Sequence, residues 1–241
     1  MRDHRVILVT GATSGIGKAV ATLAAERGMR VVLNSARSPD AGTELAASLP
    51  GAHYVQADVG DPAQVRTLVE RVEQECGRLD VLVNNAGVTR RIAHRAVDEV
   101  SYDVWREILD VNLIGTWSTT QASVDMLRRA RGVVVNVSSV AGGRPVGSSI
   151  PYAVSKAAVN HMTRLLAAAL GPEIRVNAVA PGLIDTPWTA DFGDIREHAE
   201  SVTPLRRIGT PQEVAESVLW LAGTSYTTGE VLGVDGGAHL V

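Results

Sequence analysis

The 241-residue chain has one cysteine, Cys76, so no intrachain disulfide can form, and that thiol reads as a plain helix-face residue. Its six histidines, at positions 4, 53, 94, 161, 198 and 239, show no metal-ligand spacing, so no metal centre is expected. Charge of one sign is not in excess. A net charge of -3 and a pI near 6.1 leave no nucleic-acid footprint. The densest basic cluster, Arg128-Arg129 with Arg131, reads as a solvated helix end. No apolar run reaches the ~20 residues of a membrane-spanning helix. The first strand begins by Arg5, which leaves no room for a signal peptide. The expectation is a soluble, cytoplasmic protein that binds neither membrane nor nucleic acid. Linkers, internal repeats and low-complexity stretches are absent too, so residues 1–241 read as one domain.

What is present is alternation. Arg5–Thr10 is a short apolar strand, followed at once by Gly11-Ala12-Thr13-Ser14-Gly15-Ile16-Gly17 and by the helix-forming run Lys18–Arg27, which Gly28 stops. Met29–Asn34 is the next strand. Glycines in such a turn let the backbone approach a pyrophosphate, and the helix N-terminus attracts its charge. The spacing is GxxxGxG rather than GxGxxG. A free ribose 2′-OH is usually held by an acid about 20 residues after the glycines. Here the strand ends Asn34-Ser35-Ala36-Arg37, with Ser35 where the acid is expected. Arg37 is placed to pair with a 2′-phosphate, which favours NADP(H) over NAD(H); the plainer reading of Arg37 is an exposed loop charge.

His53–Ala57 is a third strand, closed by Asp58-Val59. Asp61-Pro62 starts a helix by itself. Asp58 is therefore free to accept from an adenine amino group, or to bond local backbone. Leu79–Val83 is a fourth strand, and Asn84-Asn85-Ala86-Gly87 leaves room for a ligand past its end. Val88–Ser101 is a polar connection carrying Arg90, Arg91, His94 and Arg95. Tyr102–Arg129 reads as one long helix or two in series. Asn112, a poor interior helix residue, is either a satisfied core polar group or a bend. Ile174–Val179 is a sixth strand, followed by Pro181-Gly182-Leu183-Ile184-Asp185-Thr186. Trp188–Arg207 reads as irregular, so residues 186–207 form a substrate lid or a plain surface loop. Thr210-Pro211 caps a helix to Leu221, and Glu230–Val234 is the last strand.

Val133–Val137, the fifth strand, is a β-branched run typical of a buried parallel strand. Ser138 and Ser139 end it, and Pro151-Tyr152-Ala153-Val154-Ser155-Lys156 opens a long Ala- and Leu-rich helix ending at Gly171-Pro172. Tyr152 and Lys156, four apart, share a helix face. An ammonium fixed about 4 Å from a phenol contributes roughly 4 kcal/mol at an effective dielectric near 20. That would bring a phenol from about 10 to near neutrality, where it can trade a proton. Ser139, at the strand's carboxyl end, can share a carbonyl oxygen with that phenol. Taken alone, Tyr152 and Lys156 are an ordinary amphipathic pair. The helix carries apolar residues around nearly its whole cylinder, so one side is expected to meet the sheet and another a partner subunit.

Seven strands with helices between them predict an α/β doubly wound parallel sheet, whose ligands sit outside the strands' carboxyl ends. Every residue singled out lies at such an end. Thr10–Gly17, Asn84–Gly87, Asn112, Ser139, Tyr152-Ala153-Val154-Ser155-Lys156 and Pro181-Gly182 also resemble, in order and spacing across essentially the whole chain, the short-chain dehydrogenase/reductase family.

That resemblance implies hydride transfer between a nicotinamide and a carbonyl or secondary alcohol, in a homotetramer or homodimer. It implies Tyr152 as general acid or base and Lys156 as the group that lowers its pKa and bonds the nicotinamide ribose. Ser139 would steady the carbonyl, and Asn112 would hold a water in a proton relay. Asp58 would meet the adenine, and Ile184 and Thr186 the carboxamide. Together with Gly11, Thr13, Ser14, Gly15, Ile16, Gly17, Asn34, Ser35, Arg37, Val59, Asn85, Ala86, Gly87, Pro181 and Gly182, these residues make up the expected site. The resemblance reaches toward the 3-oxoacyl-[acyl-carrier-protein] reductases. Two departures stand out: Ser14 where NADP-preferring members often carry a base, and no basic residue in Gly171-Pro172-Glu173. A non-catalytic nucleotide sensor or scaffold is the competing reading, but all four catalytic positions are filled.

Overall fold

A computed structural model describes residues 5–241. Seven parallel strands form one sheet in the order β3-β2-β1-β4-β5-β6-β7. They are β1 (Val6–Val9), β2 (Arg30–Ser35), β3 (His53–Gln56), β4 (Val81–Asn84), β5 (Val133–Val137), β6 (Arg175–Pro181) and β7 (Val231–Val234). Alternate strand side chains face opposite sides, and both sides are covered. Ile7, Val9, Val31 and Leu33 pack under α1 (Gly15–Glu26), α2 (Pro39–Ser48) and, further along the sheet, α8 (Pro211–Gly223). Val6, Leu8, Val32 and Val134 pack under α3 (Pro62–Cys76), α5 (Thr116–Ala130) and α6 (Ile150–Leu170). Burial on both faces is why these strands read as continuous β-branched runs rather than alternating ones. The chain winds outward from β1 to β3, then crosses to β4 on β1's other side. A crevice opens where the winding reverses.

The expected caps are present. Asp61 accepts from the Ala63 and Gln64 amides, and Thr210 and Glu213 form a reciprocal capping box. Between residues 102 and 130 there are two helices in series, α4 (Tyr102–Leu109) and α5, joined by a π-helical turn at Asp110–Gly115. Asn112 is both of the things the sequence allowed, a bend and a satisfied core group. Its side chain accepts from Val88 N at 2.8 Å and donates to Val88 O and Ser155 Oγ at 3.0 Å each. The expectation of irregular chain over 188–207 is corrected. Pro187–Thr189 is a 3₁₀ turn, and α7 (Gly193–Val202) follows, tied back by Arg196 to Asp185 at 2.9 Å.

The sheet carries a polar seam on its α5/α6 side. Asn84, opposite Asn136 in register, donates to Asn136 Oδ1 at 2.9 Å and to Thr120 Oγ1 at 3.0 Å. Asn136 in turn donates to Thr163 Oγ1 at 2.9 Å. These bonds lock α5 and α6 against the sheet in one register, since an unmet buried amide costs about 1–3 kcal/mol. They thereby aim the Tyr152–Lys156 face of α6 at the crevice. Among the described residues, no helix is long and apolar enough to cross a membrane.

Candidate active site

The glycine turn is shaped to receive something. Gly11 has φ +62° and Gly15 φ +51°, a region that other residues adopt only under strain. Ser14, the residue before α1, makes no side-chain cap, and the first turn carries no acid. The first amides of α1 are therefore left uncapped by Ser14, at a helix end that attracts anions. Asn85 clamps the turn from β4. Its amide donates to Thr10 O at 2.9 Å and Gly11 O at 3.0 Å, while Thr10 Oγ1 accepts from Asn85 N and Ala86 N at 3.0 Å each.

Two cavities meet over this clamp. The first is lined by Gly11, Thr13, Ser14, Gly15 and Ile16, by Asn85–Gly87, by Ser139, Tyr152 and Lys156, and by Pro181, Gly182, Ile184 and Thr186. The second is lined by Asn34–Ser38, by Asp58 and Val59, and by Val111. Gly11, Ala86 and Gly87 line both, so the two form one elongated groove along the carboxyl edge of the sheet. This is the shape a dinucleotide needs, with a phosphate cradle in the middle. Twenty of the expected residues line it; Gly17 and Asn112 support it from behind. A Cβ on Gly17 would stand 2.3 Å from Gly11 O, so this glycine permits close helix–strand packing.

At the second cavity, the Asn34 side-chain amide donates to Val55 O and Ala57 O, and its main-chain carbonyl accepts from Ala12 N. Its side-chain N–H groups are thus committed to the β3 backbone and shape the wall. The Ser35 hydroxyl is bonded to Tyr54 Oη at 2.9 Å. One carboxylate oxygen of Asp58 accepts from Gly60 N at 2.9 Å, the local bond that competed with an adenine contact. Arg37 is exposed and makes no hydrogen bond or ion pair among the described residues.

At the first cavity, Ser149 caps α6 by accepting from Tyr152 N, so the phenol stands in the helix's first turn. Ser139 hydrogen-bonds the phenol. Ser138 is occupied elsewhere, donating to Lys156 O at 3.2 Å, which is the physical reason to choose Ser139 of the two. Lys156 is 5% exposed and donates to Val137 O at 2.8 Å, with Nζ 5.7 Å from the Tyr152 ring centre.

The expected electrostatics need correcting here. Burial raises the Tyr152 phenol above its ordinary value, opposed by the Ser139 hydrogen bond; the ammonium does not bring it toward neutrality. Burial also lowers Lys156 from 10.5 to about 8. The ammonium faces the phenol's ring and a main-chain carbonyl, not a close oxygen pair.

The sequence reading missed Val137, whose carbonyl holds the lysine, and had Pro187–Thr189 only as part of an irregular lid, whereas it is an ordered turn lining the same cavity as Ser139. Trp188 in that turn stands with its ring centre 6.3 Å from that of Tyr152. Its isolated position in a mixed-charge stretch was the only available signal.

A family model described as enoyl-(acyl carrier protein) reductase matches residues 11–239. The protein of Streptomyces violaceoruber named "Granaticin polyketide synthase putative ketoacyl reductase 2" is 58% identical over 98% of this chain and 96% of its own. The 3-oxoacyl-[acyl-carrier-protein] reductase of Thermotoga maritima is 45% identical over 98% of both chains. A crystal structure of a short-chain dehydrogenase/reductase-type protein from Burkholderia xenovorans superposes with a TM-score of 0.92 at 37% identity, covering 100% of both chains. The chain thus belongs to the short-chain dehydrogenase/reductase family, close to the 3-oxoacyl-[acyl-carrier-protein] reductases, and is an oxidoreductase that moves hydride between a nicotinamide cofactor and a carbonyl or secondary alcohol.

Proposed function

We propose that the protein is an NADP(H)-preferring reductase of 3-oxoacyl thioesters, with Tyr152 as the proton donor. The observation that carries this reading is the meeting of Tyr152, Ser139 and Lys156 in the same groove as the glycine turn. The names of the relatives supply the thioester. A reduced nicotinamide held along the groove by the glycine turn and Lys156 would supply hydride to the carbonyl carbon. Tyr152 gives its proton to the carbonyl oxygen as charge develops there, and Ser139 holds that oxygen in place. Lys156 keeps a positive charge beside the phenol, and its partial burial penalty makes that charge responsive to what binds next to it. The Thr186–Thr189 turn and α7, as a lid over residues 186–207, exclude water from the reacting carbon.

The cofactor preference rests on Arg37 and on what is missing around it. No acid ends β2, and Ser35 is tied to Tyr54, so a 2′-phosphate meets a free guanidinium. Self-association is inferred from α6, which leaves Val154 44% and Leu165 58% exposed on the side away from the sheet. Sedimentation velocity at micromolar concentration should show an oligomer; a monomer would remove this inference.

Three further outcomes follow. Tyr152→Phe should retain NADPH binding, followed by the nucleotide's fluorescence, and lose roughly 10²–10⁴-fold in turnover of an acetoacetyl thioester. An unimpaired rate would take the role away from Tyr152. Arg37→Ala should weaken NADPH by roughly tenfold or more and leave NADH nearly unchanged; equal losses for the two nucleotides would reverse the preference.

The third concerns pH. Between about 8 and 10.5 the unfolded chain binds a proton that folded Lys156 has given up, so the ligand-free fold gains stability as pH rises through that window. The gain is up to about 3 kcal/mol. Urea midpoints of the wild type and Lys156→Met should converge or cross between pH 7.5 and 9.5, the wild type gaining on the variant. A constant difference between them would show that the buried ammonium carries no such penalty.

A further inference from the structure

Two aromatic rings line the reacting end of the groove, Tyr152 and Trp188. The chain has few to spend: four Trp, four Tyr and one Phe. If Tyr152 is the proton donor, Trp188 has no assigned part. Its position is nevertheless well defined. Thr189 Oγ1 donates to Ile184 O at 2.6 Å, and Thr186 and Thr189 form a capping box across the turn. The backbone on both sides of Trp188 is therefore pinned to the end of β6.

From there the indole reaches across the groove. It meets Tyr152 at a tilt of 58° and comes within 3.8 Å of the point where a Cβ on Gly87 would stand. The same point is 3.8 Å from Lys156 Nζ, so the indole edge borders the space beside the phenol and the ammonium. Trp188 is still 44% exposed, so part of its surface is open to whatever lies against the phenol. The other groups at this end are small or polar (Ser139, Gly87, Thr189) or, like Val137 and Ile184, apolar but nearly covered by their neighbours. Trp188 is therefore the largest apolar face this end offers a substrate. A flat ring next to the reacting carbonyl finds an aromatic wall already in position, and aromatic pairs gain beyond their buried area when offset or tilted.

We propose that Trp188 is a specificity-determining residue, and that the substrate is a 3-oxo compound carrying a flat ring or conjugated group on the far side of the ketone. The proposal rests on the reductase reading above and narrows it. The geometry assigns Trp188 to the substrate and not to the proton transfer. Its removal should therefore change which ketone is preferred more than it changes the chemistry.

The test compares two thioesters that differ at one group: the N-acetylcysteamine thioesters of benzoylacetate and of acetoacetate, reduced with NADPH. The wild type should favour the phenyl compound in kcat/KM. Trp188→Ala should cut that preference roughly 3- to 10-fold, chiefly through KM for the phenyl compound. Trp188→Phe should restore most of it, which a merely structural role for the residue would not do. An equal loss on both thioesters, an unchanged preference, or a Phe variant as poor as the Ala variant would overturn the assignment. Suppose instead that the wild type reduces neither thioester but prefers acetophenone to butanone, and Trp188→Ala abolishes that preference. The thioester reading then fails and the aromatic wall stands. Reduction of none of the four would overturn both.

Discussion

The groove depends on how closely the ends of β1 and β4 approach. Strands in a parallel sheet are fixed along their length by ladder bonds, but the turns leaving them are free to diverge. Here they are stitched. Thr10 Oγ1 takes two amides of the β4 turn, and Asn85 returns its own amide to two carbonyls of the β1 turn. A Cβ on Gly11 would sit 2.9 Å from Ala86 Cα, so the contact admits no side chain there. Each bond is worth only about 1 kcal/mol net. Their importance is geometric, because Gly11, Ala86 and Gly87 form the floor that both cavities share. If the two turns separated, there would be two shallow pits in place of one groove.

The second requirement is that α6 be held at one height against the sheet, and polar groups do this better than apolar ones. A Val or Leu contact tolerates sliding by a fraction of a turn; an Asn amide with two defined partners does not. The Asn84–Asn136–Thr163 chain supplies that fixed reference inside the core. Ser138 to Lys156 O and Lys156 Nζ to Val137 O supply it nearer the site. The lysine is thus both a tie between α6 and β5 and a charge kept in a place that disfavours it. A buried ammonium near 8 sits close to the pH at which it changes state, and is more sensitive to a neighbouring ligand than an exposed lysine would be.

What could be read from the sequence follows from which features are local. The strands were legible because a doubly covered parallel strand is predominantly apolar, as Val133–Val137 is in all but Asn136. The starts of α3 and α8 were legible because Asp61-Pro62 and Thr210-Pro211 state their own geometry. The π-helical turn at Asn112 was legible only as an anomaly, since its partner Ser155 lies 43 residues away. Helix α7 was missed because it is short and polar and no side chain caps its start, while the ion pair that ties it back, Arg196 to Asp185, joins it to a residue outside the helix. The direction of the Tyr152 shift was misjudged for a similar reason. Four-residue spacing places two side chains on one face, but it gives neither the distance between their charged ends nor the water removed from around them. Burial, which has no signature in spacing, turned out to dominate.

The two ends of the groove are made of different materials, and this explains why the family was readable while the substrate was not. The cofactor end is built largely from main chain: glycines in left-handed conformation, an uncapped helix terminus, and carbonyls already occupied. Main-chain sites demand particular residues, and those demands leave motifs. The substrate end is built from side chains on the Pro187–Thr189 turn and beyond, where many residues fit the same backbone. These ends are not independent, however. Thr186, which begins that turn, has its methyl 3.2 Å from where a Cβ on Gly15 would lie, so the turn that carries Trp188 leans on the glycine cradle. The cradle and the turn that carries Trp188 are therefore neighbours in one groove. Thr186 borders the main-chain cradle while Trp188, two residues on, borders the phenol, so one short turn spans both materials.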